Sequence, residues 1–184
     1  MTTNFNTSIS SNTCFLFDMD GTLVNTDLAN FLSYKKAILE VTGLTLKNTS
    51  NRITKNTIRY SIANLSDKIF KEIITKKVNY YNDFLNDTTL NLDVVNVLES
   101  FAPKHKVILT TNSTEARAKA ILEHHNLINK FDMLFYKPVT NNKYQNVLSN
   151  SNISGDLIVA FENEYSEISK GVNASIPLSN FVKI

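Results

Sequence analysis

The stretch whose reading decides the fold runs Cys14-Phe15-Leu16-Phe17-Asp18-Met19-Asp20-Gly21-Thr22-Leu23-Val24. An apolar run leads straight into two carboxylates separated by one residue, which predicts a buried strand over Cys14–Phe17 that ends at the acids. Alternation along a strand puts residues i and i+2 on one face, so Asp18 and Asp20 are expected to converge where the chain leaves the sheet. Gly21 permits the sharp exit. Two carboxylates at one point repel and lose hydration, so they need a compensating cation, and Mg²⁺ is the one suited to hard oxygen donors. Taken alone, Asp-x-Asp-Gly is also an ordinary turn, and the rest of the chain must decide between the two.

Further apolar strands are predicted at Val107–Thr110, Met133–Tyr136 and Leu157–Phe161, with a fifth over Phe181–Ile184. Helical periodicity over Leu92–Phe101 and Glu115–Asn126 lies between them, and strands alternating with helices predict a doubly wound parallel α/β sheet. About ninety residues separate Phe17 from Val107, whereas a single crossover needs about a dozen. Asp27–Val41 reads as an amphipathic helix with Leu28, Phe31, Leu32, Ile38 and Leu39 on its apolar side, closed near Gly43. Helical segments follow around Thr54–Asn64, Asp67–Lys76 and Lys77–Leu85. Residues 27–89 are therefore expected to form an inserted α-helical module, with residues 1–26 and 90–184 as the α/β core.

The 184 residues, 42% apolar, suit one domain carrying a small insertion. A net charge of +2 without a long basic run gives no nucleic-acid footprint. The single cysteine, Cys14, excludes an internal disulfide and fits a reducing, cytoplasmic setting. No apolar stretch approaches the ~20 residues that span a bilayer. Residues 1–13 lack the basic start and apolar core of a secretory signal and read as a polar tail.

Phe17-Asp18-Met19-Asp20-Gly21-Thr22-Leu23-Val24, continued by Asn25-Thr26-Asp27, resembles the first motif of the haloacid dehalogenase superfamily. The resemblance implies a Rossmann-like core with a helical cap inserted just after that motif. It further implies that Asp18 attacks a phosphoryl group and that Asp20 serves as general acid and base.

The downstream motifs follow in the order that family requires. Val107-Ile108-Leu109-Thr110-Thr111-Asn112-Ser113 is a buried strand ending in hydroxyl and amide side chains, with Asn112 or Ser113 placed to cap the next helix. It resembles the family's second motif, which makes Thr111 and Asn112 the expected phosphate contacts. Lys137-Pro138 after the third strand resembles the third motif, with Lys137 balancing the phosphate's charge; Lys130 and Lys143 are the alternatives. In the fourth motif the family usually carries paired acids, and here stands Glu162-Asn163. Asn163 thus occupies the place of a metal-binding Asp, and its amide oxygen brings no charge. Glu162 is the expected replacement, with Glu164 and Glu167 behind it. Together these imply Mg²⁺ held by Asp18, Asp20, Glu162 and Asn163, and a phosphatase acting on a small phosphorylated metabolite. A sugar phosphomutase would share every motif, and a weakly active phosphate-binding relative would explain Asn163.

Overall fold

The computed structural model describes residues 9–46, 52–62 and 65–184. Residues 1–8 of the expected tail, and Ala63 and Asn64 of the helix expected over Thr54–Asn64, lie outside the described residues. In chain order the elements are β1 (Cys14–Asp18), β2 (Val24–Asn25), α1 (Asp27–Thr42), α2 (Lys55–Ser61), α3 (Asp67–Tyr80), β3 (Thr89–Leu90), α4 (Leu92–Phe101), β4 (Lys106–Thr110), α5 (Glu115–His124), β5 (Met133–Phe135), α6 (Lys143–Ser151), β6 (Ile158–Glu162), α7 (Tyr165–Asn173) and β7 (Phe181–Lys183). They divide into two compact units, Met1–Asn25 with Leu90–Ile184, and Thr26–Thr89.

The first unit holds a parallel sheet in the order β5-β4-β1-β6-β7. β1 is central: Asp18 stands opposite Thr110 of β4, and Phe17 opposite Phe161 of β6. The connection through α6 carries the chain from one side of β1 to the other, so strand order reverses there. In open α/β sheets a crevice opens at such a reversal, beyond the carboxyl ends of the strands.

Strand parity then sorts the side chains. Cys14 and Leu16 of β1, Ile108 of β4 and Ile158 and Ala160 of β6 share one face and pack against Tyr144 and Val147 of α6. Phe15 and Phe17 point the other way, where Phe15 stacks on Phe101 of α4 and Phe17 stacks on Phe161. Asp18 and Glu162 continue the first parity, so both acids come off their strands on the α6 side.

Beyond β1 the chain doubles back tightly: Leu23 and Val24 donate their backbone N–H groups to Met19 O, and Gly21 N–H donates to Val24 O. Gly21 takes φ +84°, a conformation open to glycine at little cost. β2 and β3 form a separate two-stranded sheet.

The second unit has its own apolar cluster of Tyr34, Ala37, Ile38, Ile53, Ile58, Phe70 and Ile73. Here α1 keeps part of the apolar side expected for it, with Ile38 buried and Phe31 packed against the cluster, and departs from it in the rest. Its buried residues are Ala29, Ser33, Tyr34, Ala37 and Ile38, while Leu28 and Leu39 are exposed. The small residues on that side leave room for a neighbouring helix, and Ser33 satisfies its hydroxyl on Asn30 O. α3 runs unbroken to Tyr80 where the sequence predicts two helices, then tightens into a 3₁₀ turn over Tyr81–Asp87. Among the described residues no helix is long and apolar enough to cross a membrane.

Candidate active site

The site lies wholly in the first unit, at the carboxyl ends of β1, β4 and β6. Asp18, the last residue of β1, is 5% exposed. Its Oδ1 accepts from Lys143 Nζ at 2.5 Å, and the same ammonium donates to Glu162 Oε2 at 2.7 Å. Lys143 opens α6, whose N-cap Asn142 accepts from the backbone N–H of Tyr144 and Gln145. The lysine that meets Asp18 is therefore Lys143, while Lys137 is exposed in the loop after β5, where its backbone N–H donates to Ser113 O at 2.8 Å. Lys130 pairs instead with Glu99. The physical reason is reach: β5 ends at Phe135, and it is the start of α6 that brings Lys143 to the end of β1.

Glu162 also departs from its expected role. Oε2 accepts a second bond from the Tyr144 hydroxyl at 2.7 Å, and Oε1 accepts from the backbone N–H of Asn163 and Glu164 at 2.8 and 2.9 Å. Both carboxylate oxygens are thus committed to positioning Lys143 and the start of the following loop. Glu167 is likewise engaged, accepting from Lys170 at 2.6 Å.

Burial pushes the Asp18 carboxyl above the usual carboxylate range; the Glu162 and Asp20 charges add to this and Lys143 opposes it. Burial alone would lower the Lys143 ammonium, but Asp18 and Glu162 more than offset it and hold the group above its ordinary value. Burial, reinforced by Glu162, also raises the Tyr144 phenol, which stays protonated and donates.

Asp20 has a separate set of partners. Arg117, in the first turn of α5, grips it with both terminal nitrogens, Nη2 to Oδ1 at 2.6 Å and Nη1 to Oδ2 at 3.0 Å. Ser113 Oγ donates to Oδ2 at 2.7 Å and Thr111 Oγ1 approaches the same oxygen at 3.5 Å. Arg117 also donates to Ser113 Oγ. The two carboxylates of the opening motif are therefore each matched to a protein cation, Asp18 to Lys143 and Asp20 to Arg117. Thr111 is buried beside Asp20, and Asn112 is exposed. Neither Asn112 nor Ser113 caps α5, whose N-cap is Thr114.

The sequence alone gives no site role to Arg117, Ser113 or Tyr144. Asn163 lies over the turn: its Oδ1 accepts from Thr22 Oγ1 at 3.3 Å, and a Cβ on Gly21 would collide with its Nδ2.

A divalent cation needs hard oxygen donors, preferably charged. Asp18, the main-chain carbonyl of Asp20 and the amide oxygen of Asn163 are donors of the right kind, and only Asp18 among them carries charge. Among the described residues no three His, Cys, Asp or Glu side chains gather into a metal-binding group. The set fits Mg²⁺ in donor type and falls short in charge.

The family model for haloacid dehalogenase-like hydrolases matches residues 15–180. The chain belongs to that family. No curated protein sequence matches it. Among solved structures, a predicted phosphoglycolate phosphatase from Haemophilus somnus 129PT is similar at TM-score 0.75 and 18% identity, over 91% of this chain and 84% of that one. A haloacid dehalogenase-like family hydrolase from Streptococcus pneumoniae gives TM-score 0.75 at 14% identity, over 90% and 82%. CbbY from Rhodobacter sphaeroides in complex with phosphate gives 0.73 at 14% identity, over 89% and 83%. At these identities the likeness speaks for the fold.

Proposed function

We propose that the chain is a phosphatase that hydrolyses a small phosphorylated metabolite through an aspartyl-phosphate on Asp18. The observation that carries this reading is Asp18 itself: a buried carboxylate at the end of the central strand, with a buried lysine fixed against it by Glu162. One Asp18 oxygen is engaged by Lys143, and the other is the atom that attacks phosphorus in line. An Asp18 O–P bond forms as the bond to the substrate alcohol breaks, and Asp20 gives that alcohol its proton. Asp20 then takes a proton from water, the water oxygen bonds to phosphorus, and Asp18 leaves as a carboxylate with inorganic phosphate as product. Lys143 stays charged throughout and balances the phosphoryl oxygens. Thr111 supplies a hydroxyl beside Asp20.

Haloacid dehalogenase-like phosphatases generally use Mg²⁺. In this chain Asp18, the Asp20 carbonyl and Asn163 would hold it, and when bound it would supply positive charge that offsets the charge of the phosphoryl group. Residues 27–89, which carry α1, α2 and α3, act as the cap that selects the substrate. A free buried Cys14 fits a reducing cytoplasm.

The test is hydrolysis of an aryl phosphate and of a panel of phosphorylated metabolites, with and without Mg²⁺. Turnover is expected for the wild type and a loss of about a thousandfold or more for Asp18→Asn. Undetectable turnover by the folded wild type at saturating Mg²⁺ would sink the reading.

A further inference from the structure

Asp20 and Arg117 pose a question that general acid–base chemistry alone does not answer. A group that exchanges protons with substrate and water has both its oxygens taken up by one guanidinium and one hydroxyl. The guanidinium is held in a planar, two-point grip of the kind that suits a carboxylate and a phosphate equally. The pair is not sealed away: the Arg117 and Asp20 side chains are 20% and 16% exposed, against 2% and 7% for Lys143 and Asp18. Ser113 and Thr111 converge on the same Asp20 oxygen that Arg117 holds. Three donors, two from the loop after β4 and one from α5, are thus aimed at one point, and the acceptor there is a side chain that the reaction needs elsewhere.

We propose that Arg117 is a phosphate-binding residue that Asp20 occupies in the resting state. An arriving phosphoryl group takes over Arg117, Ser113 and Thr111 as its donors, and in doing so releases Asp20 to work on the leaving group. Asp20 and phosphate compete for one guanidinium, so the acid/base group is freed only when substrate is present. The charge of the site agrees. Asp18, Asp20 and Glu162 face two protein cations here, and the neutral Asn163 removes one carboxylate usual at its place, so an anion is less strongly repelled than a site built for a cation alone would dictate. The proposal rests on the phosphatase reading for the role of Asp20, but its test does not need turnover.

The test is calorimetric titration of the whole protein with inorganic phosphate in the presence of EDTA. The wild type is expected to bind phosphate without metal, and Arg117→Gln to bind it at least about tenfold more weakly. Asp20→Asn removes the competitor and is expected to tighten phosphate binding at least about tenfold, a gain that largely disappears in the Asp20→Asn/Arg117→Gln double variant. Arg117→Lys, which keeps the charge but loses the two-point grip, is expected to fall between wild type and Arg117→Gln, and thermal unfolding of each variant verifies that it is folded. Phosphate binding that needs Mg²⁺, that ignores Arg117, or that gains equally from Asp20→Asn in both backgrounds would overturn the proposal. If phosphate binds as expected and no phosphate ester is hydrolysed, the phosphatase reading fails and the clamp stands. If esters are hydrolysed and Arg117→Gln binds phosphate normally, the clamp fails alone.

Discussion

Lys143 shows what a single buried charge does in this site. It is 2% exposed between two acids, so removing it leaves Asp18 and Glu162 facing each other without a counter-ion. Breaking a buried pair by taking one partner costs about 3–5 kcal/mol, so Lys143→Met is expected to lower stability to urea by that order and to abolish turnover. Lys137→Ala at its exposed position is expected to stay within about 0.5 kcal/mol of wild type. Tyr144→Phe strips a hydrogen bond from a buried carboxylate and is expected to cost about 1.5–3 kcal/mol in the same measurement. At Asn163 the missing charge is testable directly: Asn163→Asp is expected to raise Mg²⁺ affinity about tenfold or more by calorimetry, and an unchanged affinity would remove Asn163 from the donor set. The acids Asp18 and Asp20 were legible because their spacing is local. The lysine was not, because order along the chain says which strand it follows and not how many loop residues are needed to return beneath β1.

At the scale of elements, periodicity located the sheet well because a strand buried on both faces is written in consecutive apolar residues, as in Phe15-Leu16-Phe17 and Ile158-Val159-Ala160-Phe161. Parity along β6 also anticipated where Glu162 points, since Ile158 and Ala160 pack on the face that meets α6 and Glu162 accepts from Lys143 and Tyr144 of that helix. Helix α1 was less legible: Leu28 and Leu39 look like core residues, yet the small residues Ala29, Ser33 and Ala37 are buried on it together with Tyr34 and Ile38. β1 offers a test through Cys14, whose thiol burial pushes up from 9.0 to about 12. The fold therefore disfavours the thiolate. Its contribution to stability is intact below pH 9 and is lost as pH rises from there toward 12. Cys14 is expected to resist alkylation at pH 8 in the native protein and to react once the protein is unfolded. Between pH 8 and 10 the wild type is expected to lose about 1 kcal/mol more stability than Cys14→Ala. The turn after β1 is equally exacting: Gly21→Ala adds a Cβ at φ +84° against Asn163, so a loss of about 1–3 kcal/mol is expected by urea unfolding.

Across the whole molecule, each unit has an apolar cluster made only of its own residues, Cys14 to Ile176 in one and Tyr34 to Ile73 in the other. Replacing residues 26–88, which lie between β2 and β3, with a short flexible linker of about four residues is expected to leave the first unit folded, with cooperative urea unfolding and retained phosphate binding; a chain without a cooperative transition would show that the insertion is needed for folding. The pairing of β2 with β3 explains why the join should close. Paired strands lie about 4.8 Å apart, so the chain departs from the core and comes back to it almost at the same place. To the core, whatever is inserted there is then simply a loop, whose closing entropy grows only with the logarithm of its length. An ancestral gene could lengthen, shorten or exchange that segment without disturbing the register of β1, β4 and β6. The chemistry and the choice of substrate are thereby written in separable parts of one gene, and each is free to drift while the other is held.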